Sequence, residues 1–312
     1  MELTENKNKL FTNTAFIAVA ALLCCALWGS ASPFIKLGYA ASRPEGNVPS
    51  TLLYAGIRFA LAGVLTVIGY SIARGKFLYP KKENYGRVLT VSAFQTMLQY
   101  LFFYLGLSLT SGVKGTMLSG SNAFFTILVA ALIFRVEKFT PKKIIACLLG
   151  LIGIVIVNFN GLELNANWGD AFVIFSNIAY GVSSVLIKKF SKYEDPVVIS
   201  GYQFAIGGTV MIIVGLIFGG NVKFDSLNSV LIILYLAALS AIAYSLWGIL
   251  LKNNPVSRVS IFSFMIPVFG VLLSKLMLPA ESVINPVNLI FALILICGGI
   301  FLLNFQKRSA SK

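Results

Sequence analysis

Trp28, Ser32 and Lys36 stand at i, i+4 and i+8 within A-L-W-G-S-A-S-P-F-I-K-L-G, residues 26 to 38. On a helix they fall on one stripe. An indole, a hydroxyl and an ammonium on one face can stack on, hydrogen-bond and neutralise parts of a small solute. Tyr180, Ser184 and Lys188 repeat the series of aromatic, hydroxyl and lysine. Two readings fit the hydroxyls equally well: a shared cavity, or hydrogen bonds between neighbouring helices through Ser32 and Ser184. Lys188 is expected to be a charge at a helix end. Arg58 sits about two turns inside its apolar run, roughly 10 Å deep at the helical rise, and Gln203 occupies the matching place later in the chain. A cation at that depth costs on the order of 2 kcal/mol or more unless it finds water, a partner or an anion. It either reaches for the interface or a neighbouring carbonyl, or meets an anionic group of a solute. Gln95 and Gln99, Ser119, Asn122 and Thr126, Tyr202 beside Gln203, Tyr244 with Trp247, and Ser263 complete the polar and aromatic set. Amides and hydroxyls with aromatic faces suit a modestly polar organic molecule held by a few hydrogen bonds and stacking.

Chemistry of other kinds lacks its parts. There is no histidine, no metal-ligand cluster, phosphate loop or nucleophilic triad, and a serine without a base is a weak nucleophile. Enzymatic activity and cofactors are therefore not expected. The eleven acidic residues all fall in tails, loops or helix ends, so no carboxylate or imidazole stands at mid-membrane to couple a proton. Glu137 and Glu281, beside prolines and bases, read as structural.

The elements that must hold this set are membrane helices. Of the 312 residues 57% are hydrophobic and only 12% charged, against about half and a quarter in soluble domains. Ten apolar runs of roughly spanning length cover about 15 to 37, 51 to 73, 87 to 109, 112 to 134, 142 to 159, 168 to 188, 197 to 219, 229 to 250, 256 to 278 and 287 to 305. Their length and spacing predict helices rather than a barrel. The first run, longer than a signal-peptide core and followed by nine others, is expected to be an uncleaved helix, with Gly29 and Pro33 favouring a bend. The four cysteines lie within apolar runs and imply neither disulfide nor metal.

The net charge of +14 records topology. With the ends assigned alternately, one side holds most of the 25 Lys and Arg residues, while the other holds Arg43, Lys114, Lys223 and Lys275. The positive-inside rule then places both termini in the cytoplasm, and nucleic acid need not be invoked.

The two halves also match each other. L-Y-A-G-I-R-F-A-L-A-G at 53 to 63 parallels V-I-S-G-Y-Q-F-A-I-G-G at 198 to 208; Glu137 falls on Glu281, and G-I-V-I-V-N-F at 153 to 159 falls on G-I-F-L-L-N-F at 299 to 305. A unit of five spans enters and leaves on opposite sides, so its second copy must be inverted, the architecture of secondary carriers. The fold expected is an all-α integral membrane protein of ten transmembrane helices as two inverted five-helix repeats. Residues 15 to 160 form the first repeat and 161 to 306 the second, with tails at 1 to 14 and 307 to 312.

W-G-S-A-S-P-F-I-K, A-G-I-R-F-A-L-A-G and E-K-F-T-P-K-K-I-I-A-C-L-L-G-L-I-G-I-V-I-V, echoed by P-V-S-R-V-S-I-F-S-F-M-I-P-V-F-G, resemble the EamA-type branch of the drug/metabolite transporter superfamily over about residues 15 to 306. The resemblance implies ten helices, cytoplasmic termini, and export or uptake of small metabolites in the bacterial cytoplasmic membrane, without naming a solute. Span six departs from the pattern, with Tyr180-Gly181 and Val185 in place of W-G and the proline. The expectation is a carrier, probed as an exporter, of amino-acid-like or other partly polar, including anionic, molecules, working by alternating access. Its partners would be that solute and the lipid bilayer; one chain suffices, and a dimer is compatible. A receptor or scaffold, or a selective channel, are the alternatives.

Overall fold

The protein is described from a computed structural model over residues 10–42, 47–110, 112–157, 166–277 and 286–304. Helices account for nearly all of them, and there is no strand among the described residues. In chain order they are α1 (Thr14–Ser42), α2 (Val48–Arg74), α3 (Lys82–Leu109), α4 (Gly112–Gly120 continued by Asn122–Ile133), α5 (Pro141–Val157), α6 (Trp168–Phe190), α7 (Pro196–Ile217), α8 (Leu227–Asn253), α9 (Val256–Met277) and α10 (Pro286–Asn304). Eight of these are long and apolar enough to cross a bilayer, and Asn122–Ile133 is a shorter apolar helix. The missing length has a local cause: α4 is broken at Ser121, and α5 has 17 described residues.

Local signals start the helices. Asn47 accepts from the Ser50 amide with proline at the start of α2, Asn167 and Asp170 form a reciprocal cap on α6, and Ser226 with Ser229 does the same for α8. Each cap satisfies amides that the first turn leaves without partners. Irregular hydrogen bonding lies in other helices. α1 is helical straight through Pro33, whereas α3 carries a π-helical turn at Ala93–Leu98, α4 another at Val129–Ile133, and α9 a 3-10 turn at Ile261–Phe264.

Packing pairs equivalent helices of the two halves. α2 and α7 run antiparallel at backbone contact: a Cβ placed on Gly56 would lie 2.9 Å from the Gly208 carbonyl oxygen, and one on Gly63 would lie 2.7 Å from that of Gly201. Gly56 and Gly63 match Gly201 and Gly208 in the sequence, so exchanging the halves maps one contact onto the other. Small residues let membrane helices approach this closely. α5 and α10 repeat the arrangement, with Gly153 against Ala292 and Gly299 against Ala146. α1 packs on α8 and α9, as α6 packs on α3 and α4.

Both described chain ends meet at one end of the bundle, here the termini end, where Arg258 donates to Thr14 Oγ1 at 2.6 Å and to Asn304 Oδ1 at 3.2 Å. Polar bonds knit the two halves there. Asn84 Nδ2 donates to Glu194, and Tyr70 donates to Asp195. Lys188 holds the carbonyls of Leu251 and Asn254, a firmer task than a free end charge. Glu137 pairs with Lys143 at 2.7 Å and accepts from both the amide and the hydroxyl of Ser257. Glu281, its counterpart in the repeat, lies outside the described residues. Burial pushes the Glu137 carboxyl up, but Lys143 and Ser257 outweigh it and hold the group below the usual 4.5. A depressed folded pKa gives stability that is complete above the unfolded value and is lost as pH falls through the folded one. Glu137→Gln should therefore cost roughly 1.5–3 kcal/mol at neutral pH, the worth of a hydrogen bond to a charged group. Thermal unfolding in detergent should show that deficit shrinking as the pH drops below about 4.5.

Candidate binding site

The centre of the bundle is an aromatic lattice built on the same exchange of halves. Phe59 and Phe204, equivalent residues, stack with centroids 5.2 Å apart and planes 2° from parallel. Tyr100 donates to or accepts from Tyr244 at 2.8 Å, and their separation in sequence equals that of Glu137 and Glu281. Phe59 lies 4.3 Å from the Tyr100 ring, and Phe204 lies 4.7 Å from Tyr244. Trp28 closes one flank, edge-on to Tyr244 at 4.9 Å and to Trp247 at 5.0 Å. Tyr180, its repeat counterpart, is buried in the same cluster. α1, α2, α3, α6, α7 and α8 each contribute a ring, so the site belongs to both halves.

Several buried polar atoms of the bundle lack partners. Trp28 Nε1, Trp247 Nε1, Tyr180 OH, Gln95 Oε1, Gln99 Oε1, Asn122 Oδ1, Gln203 Nε2 and Ser263 Oγ are buried without a hydrogen bond. Buried polar groups are nearly always satisfied, and each exception costs roughly 1–3 kcal/mol. These eight residues are all among those selected from sequence, and Tyr39, Ser42, Tyr54 and Ser260 carry unpartnered buried atoms as well.

Arg58 is 4% exposed and lies on α2 beside this lattice. Its Nε donates to the Leu236 carbonyl at 3.3 Å and to Ser240 Oγ at 3.2 Å; Nη2 donates to Ser240 at 2.9 Å. Its Cζ sits 5.0 Å from the Phe59 ring centroid, a cation–π distance. Gln203, fully buried, makes the equivalent bond in the other half, its Oε1 accepting from Thr96 at 2.6 Å. Thr96 and Ser240 are themselves separated like Glu137 and Glu281. One role is thus filled by a cation in one half and by an amide in the other.

The remaining candidates divide. Ser184 donates to the Tyr180 carbonyl of its own helix, so it makes no bridge between helices. Ser32 and Lys36 are exposed, one and two turns beyond Gly29, which seats Phe269 and Gly270 against α1. Ser119 and Thr126 donate to carbonyls one turn back on α4. Tyr202 lies apart from the lattice, its hydroxyl donating to the Leu78 carbonyl at 3.1 Å in the α2–α3 connection. Phe59 and Phe204 already fall on each other in the repeat, whereas Tyr100 and Ser240 carry no mark in the sequence and are recognised from the structure. The cysteines are unpaired thiols, Cys24 and Cys25 donating to carbonyls of α8 and α9. Among the described residues no three His, Cys, Asp or Glu side chains stand close enough to hold a metal ion.

The geometry has counterparts among known proteins. A sequence model described as the EamA-like transporter family matches twice, over residues 15–159 and 167–305. A WAT1-related chloroplastic protein of Arabidopsis thaliana is 23% identical over 88% of this chain and 68% of its own length. Two proteins of Bacillus subtilis named as uncharacterized transporters, YyaM and YoaV, are 24% and 21% identical over 70% and 89% of this chain and 74% and 93% of theirs. A solved crystal structure superposes with a TM-score of 0.72 over 93% of this chain and 97% of that one, at 19% identity, which shows a shared fold.

Proposed function

The chain belongs to the EamA-like transporter family, and from that premise we propose that it is a secondary carrier for a small, partly polar organic metabolite, with amino acids the first candidates. The solute occupies the lattice between the halves, and the inverted repeats exchange shape so that the site faces each side of the membrane in turn. The observation that carries this reading is the set of buried polar atoms without partners on seven helices of both halves, beside the Phe59–Phe204 stack that joins them. A scaffold or an enzyme gives no reason for them. Ion or solute gradients would set direction, and binding energy would select among conformations; export is the direction to test first. The closed termini end and the exposed Ser32 and Lys36 favour access from the opposite end in this conformation. The charge distribution favours a cytoplasmic termini end.

Purified protein in proteoliposomes, loaded in turn with amino acids, nucleosides and organic acids, should show saturable counterflow of at least one class. The measurement is run with and without imposed pH and potential gradients. A monodisperse preparation that moves nothing saturably sinks the carrier reading, and unitary currents far above carrier turnover replace it with a channel.

A further inference from the structure

We propose that the solute carries a carboxylate, and that Arg58 is the group that selects it. This rests on the carrier reading and narrows it from partly polar molecules to small organic acids, amino acids included, with an apolar or aromatic body.

The guanidinium is spent on one side only. Nε and Nη2 are tied to Leu236 and Ser240, while Nη1 makes no hydrogen bond to a described residue. Both partners are neutral, so they hold the charge in place without balancing it. No described carboxylate forms an ion pair with Arg58; the described acidic residues stand in the connections or at helix ends, where Asp170 pairs with Lys114 and Glu137 with Lys143. The surroundings are rings. Phe59 lies under the cation, with the Tyr100 ring 4.3 Å from the Phe59 ring.

An unbalanced cation at 4% exposure in a membrane helix is expensive, and the protein shows a cheaper alternative to it. The other half fills the same place with Gln203 and bonds it to Thr96, so the helix contact itself does not require a charge. What arginine adds over glutamine is charge and a planar fork that matches a carboxylate with two parallel N–H donors. Ring-to-ring contacts run from Phe59 through Tyr100 and Tyr244 to Trp28 and Trp247, offering an apolar body a continuous surface beside the anion. The indole N–H groups of Trp28 and Trp247 and the amides of Gln95 and Gln99 remain for further polar substituents.

The test compares acids with the primary amides that lack the carboxylate, the amides of 3-phenylpropionate and indole-3-acetate being uncharged. Full-length protein in detergent is titrated with 3-phenylpropionate, indole-3-acetate, phenylalanine and leucine, and with the primary amide of each, following tryptophan fluorescence and thermal stabilisation. At least one acid should bind the wild type tenfold or more tightly than its amide. Arg58→Gln should abolish that preference, while Arg58→Lys should keep part of it. If no acid in the panel is preferred tenfold, the proposal is overturned; since this comparison needs only wild-type protein, a misfolded Arg58→Gln leaves it decisive. Proteoliposome flux separates the two claims. Saturable movement of neutral solutes with no acid preferred removes the carboxylate and leaves the carrier, whereas no saturable movement of any solute removes both.

Discussion

Gly208→Ala should lower the thermal midpoint of the detergent-solubilised protein sharply and reduce the yield of monodisperse material, although it adds a single methyl group. The new Cβ would lie 2.3 Å from the Ala60 amide nitrogen and 2.8 Å from the Gly56 carbonyl oxygen. Both obstacles are backbone, so no rotamer change relieves them; α2 and α7 must move apart. Separation would pull on the Phe59–Phe204 stack and on every ring leaning against it. Overpacking costs about 1–3 kcal/mol even where side chains can adjust, and this substitution belongs at the upper end or beyond. Gly63→Ala, its counterpart in the other half, faces the Ala205 nitrogen at 2.3 Å and should behave alike. Gly69→Ala on the same helix meets nothing within 4 Å and should leave the midpoint unchanged or raise it, since alanine favours a helix by about 1 kcal/mol over glycine. A Gly208→Ala protein that melts with the wild type would show that the two helices are less tightly joined than their glycines indicate.

The second large effect has the opposite sign on stability. Gln95→Met and Gln99→Met replace amides whose Oε1 atoms are buried without partners by apolar groups of similar length. Removing an unsatisfied polar atom relieves a cost of roughly 1–3 kcal/mol. Each variant should therefore melt at or above the wild-type temperature. If the amides exist to bind solute, saturable flux should fall by about tenfold or more in the same proteins, the trade of activity for stability found at sites kept polar for function. Stabilised variants with undiminished flux would make the two glutamines packing residues, while destabilised ones would point to hydrogen bonds formed within the bundle.

How much of this was legible in the chain depends on how strict the governing physics is. A bilayer admits few ways to satisfy backbone groups, so length and hydropathy suffice to place the helices to within a few residues. The repeat is legible because the close glycine contacts of α2 with α7 and of α5 with α10 tolerate little else, which keeps Gly56, Gly63, Gly153 and their counterparts recognisable. Backbone irregularity was not legible. Gly29 and Pro33 favour a bend, and α1 runs helical through both, since a span can pass a proline when neighbouring groups accommodate it. The π-turns of α3 and α4 carry no comparable sequence mark, whereas the 3-10 turn of α9 precedes Pro267, which has no N–H for the Ser263 carbonyl one turn back. Within the site, the amides, indoles and Arg58 stand out because polar groups are rare in such runs. Tyr100 does not, since an aromatic ring in apolar sequence looks like any other until its symmetric partner is known; Phe59 and Phe204 are paired by the repeat itself. Tyr202 shows the converse: a polar aromatic beside Gln203 that serves a loop.

The stacked phenylalanines also supply a fixed point for measurement. In the alternating-access cycle proposed above, two equivalent side chains facing each other across an axis would exchange places as the halves exchange shapes, so their mutual distance would be the same before and after. Distances between probes far from Phe59 and Phe204 should change when the bundle opens at one end and closes at the other, and those beside the pair should not. Spectroscopic labels flanking it would thus give a ruler its zero, against which a displacement elsewhere can be told from a protein that has merely loosened.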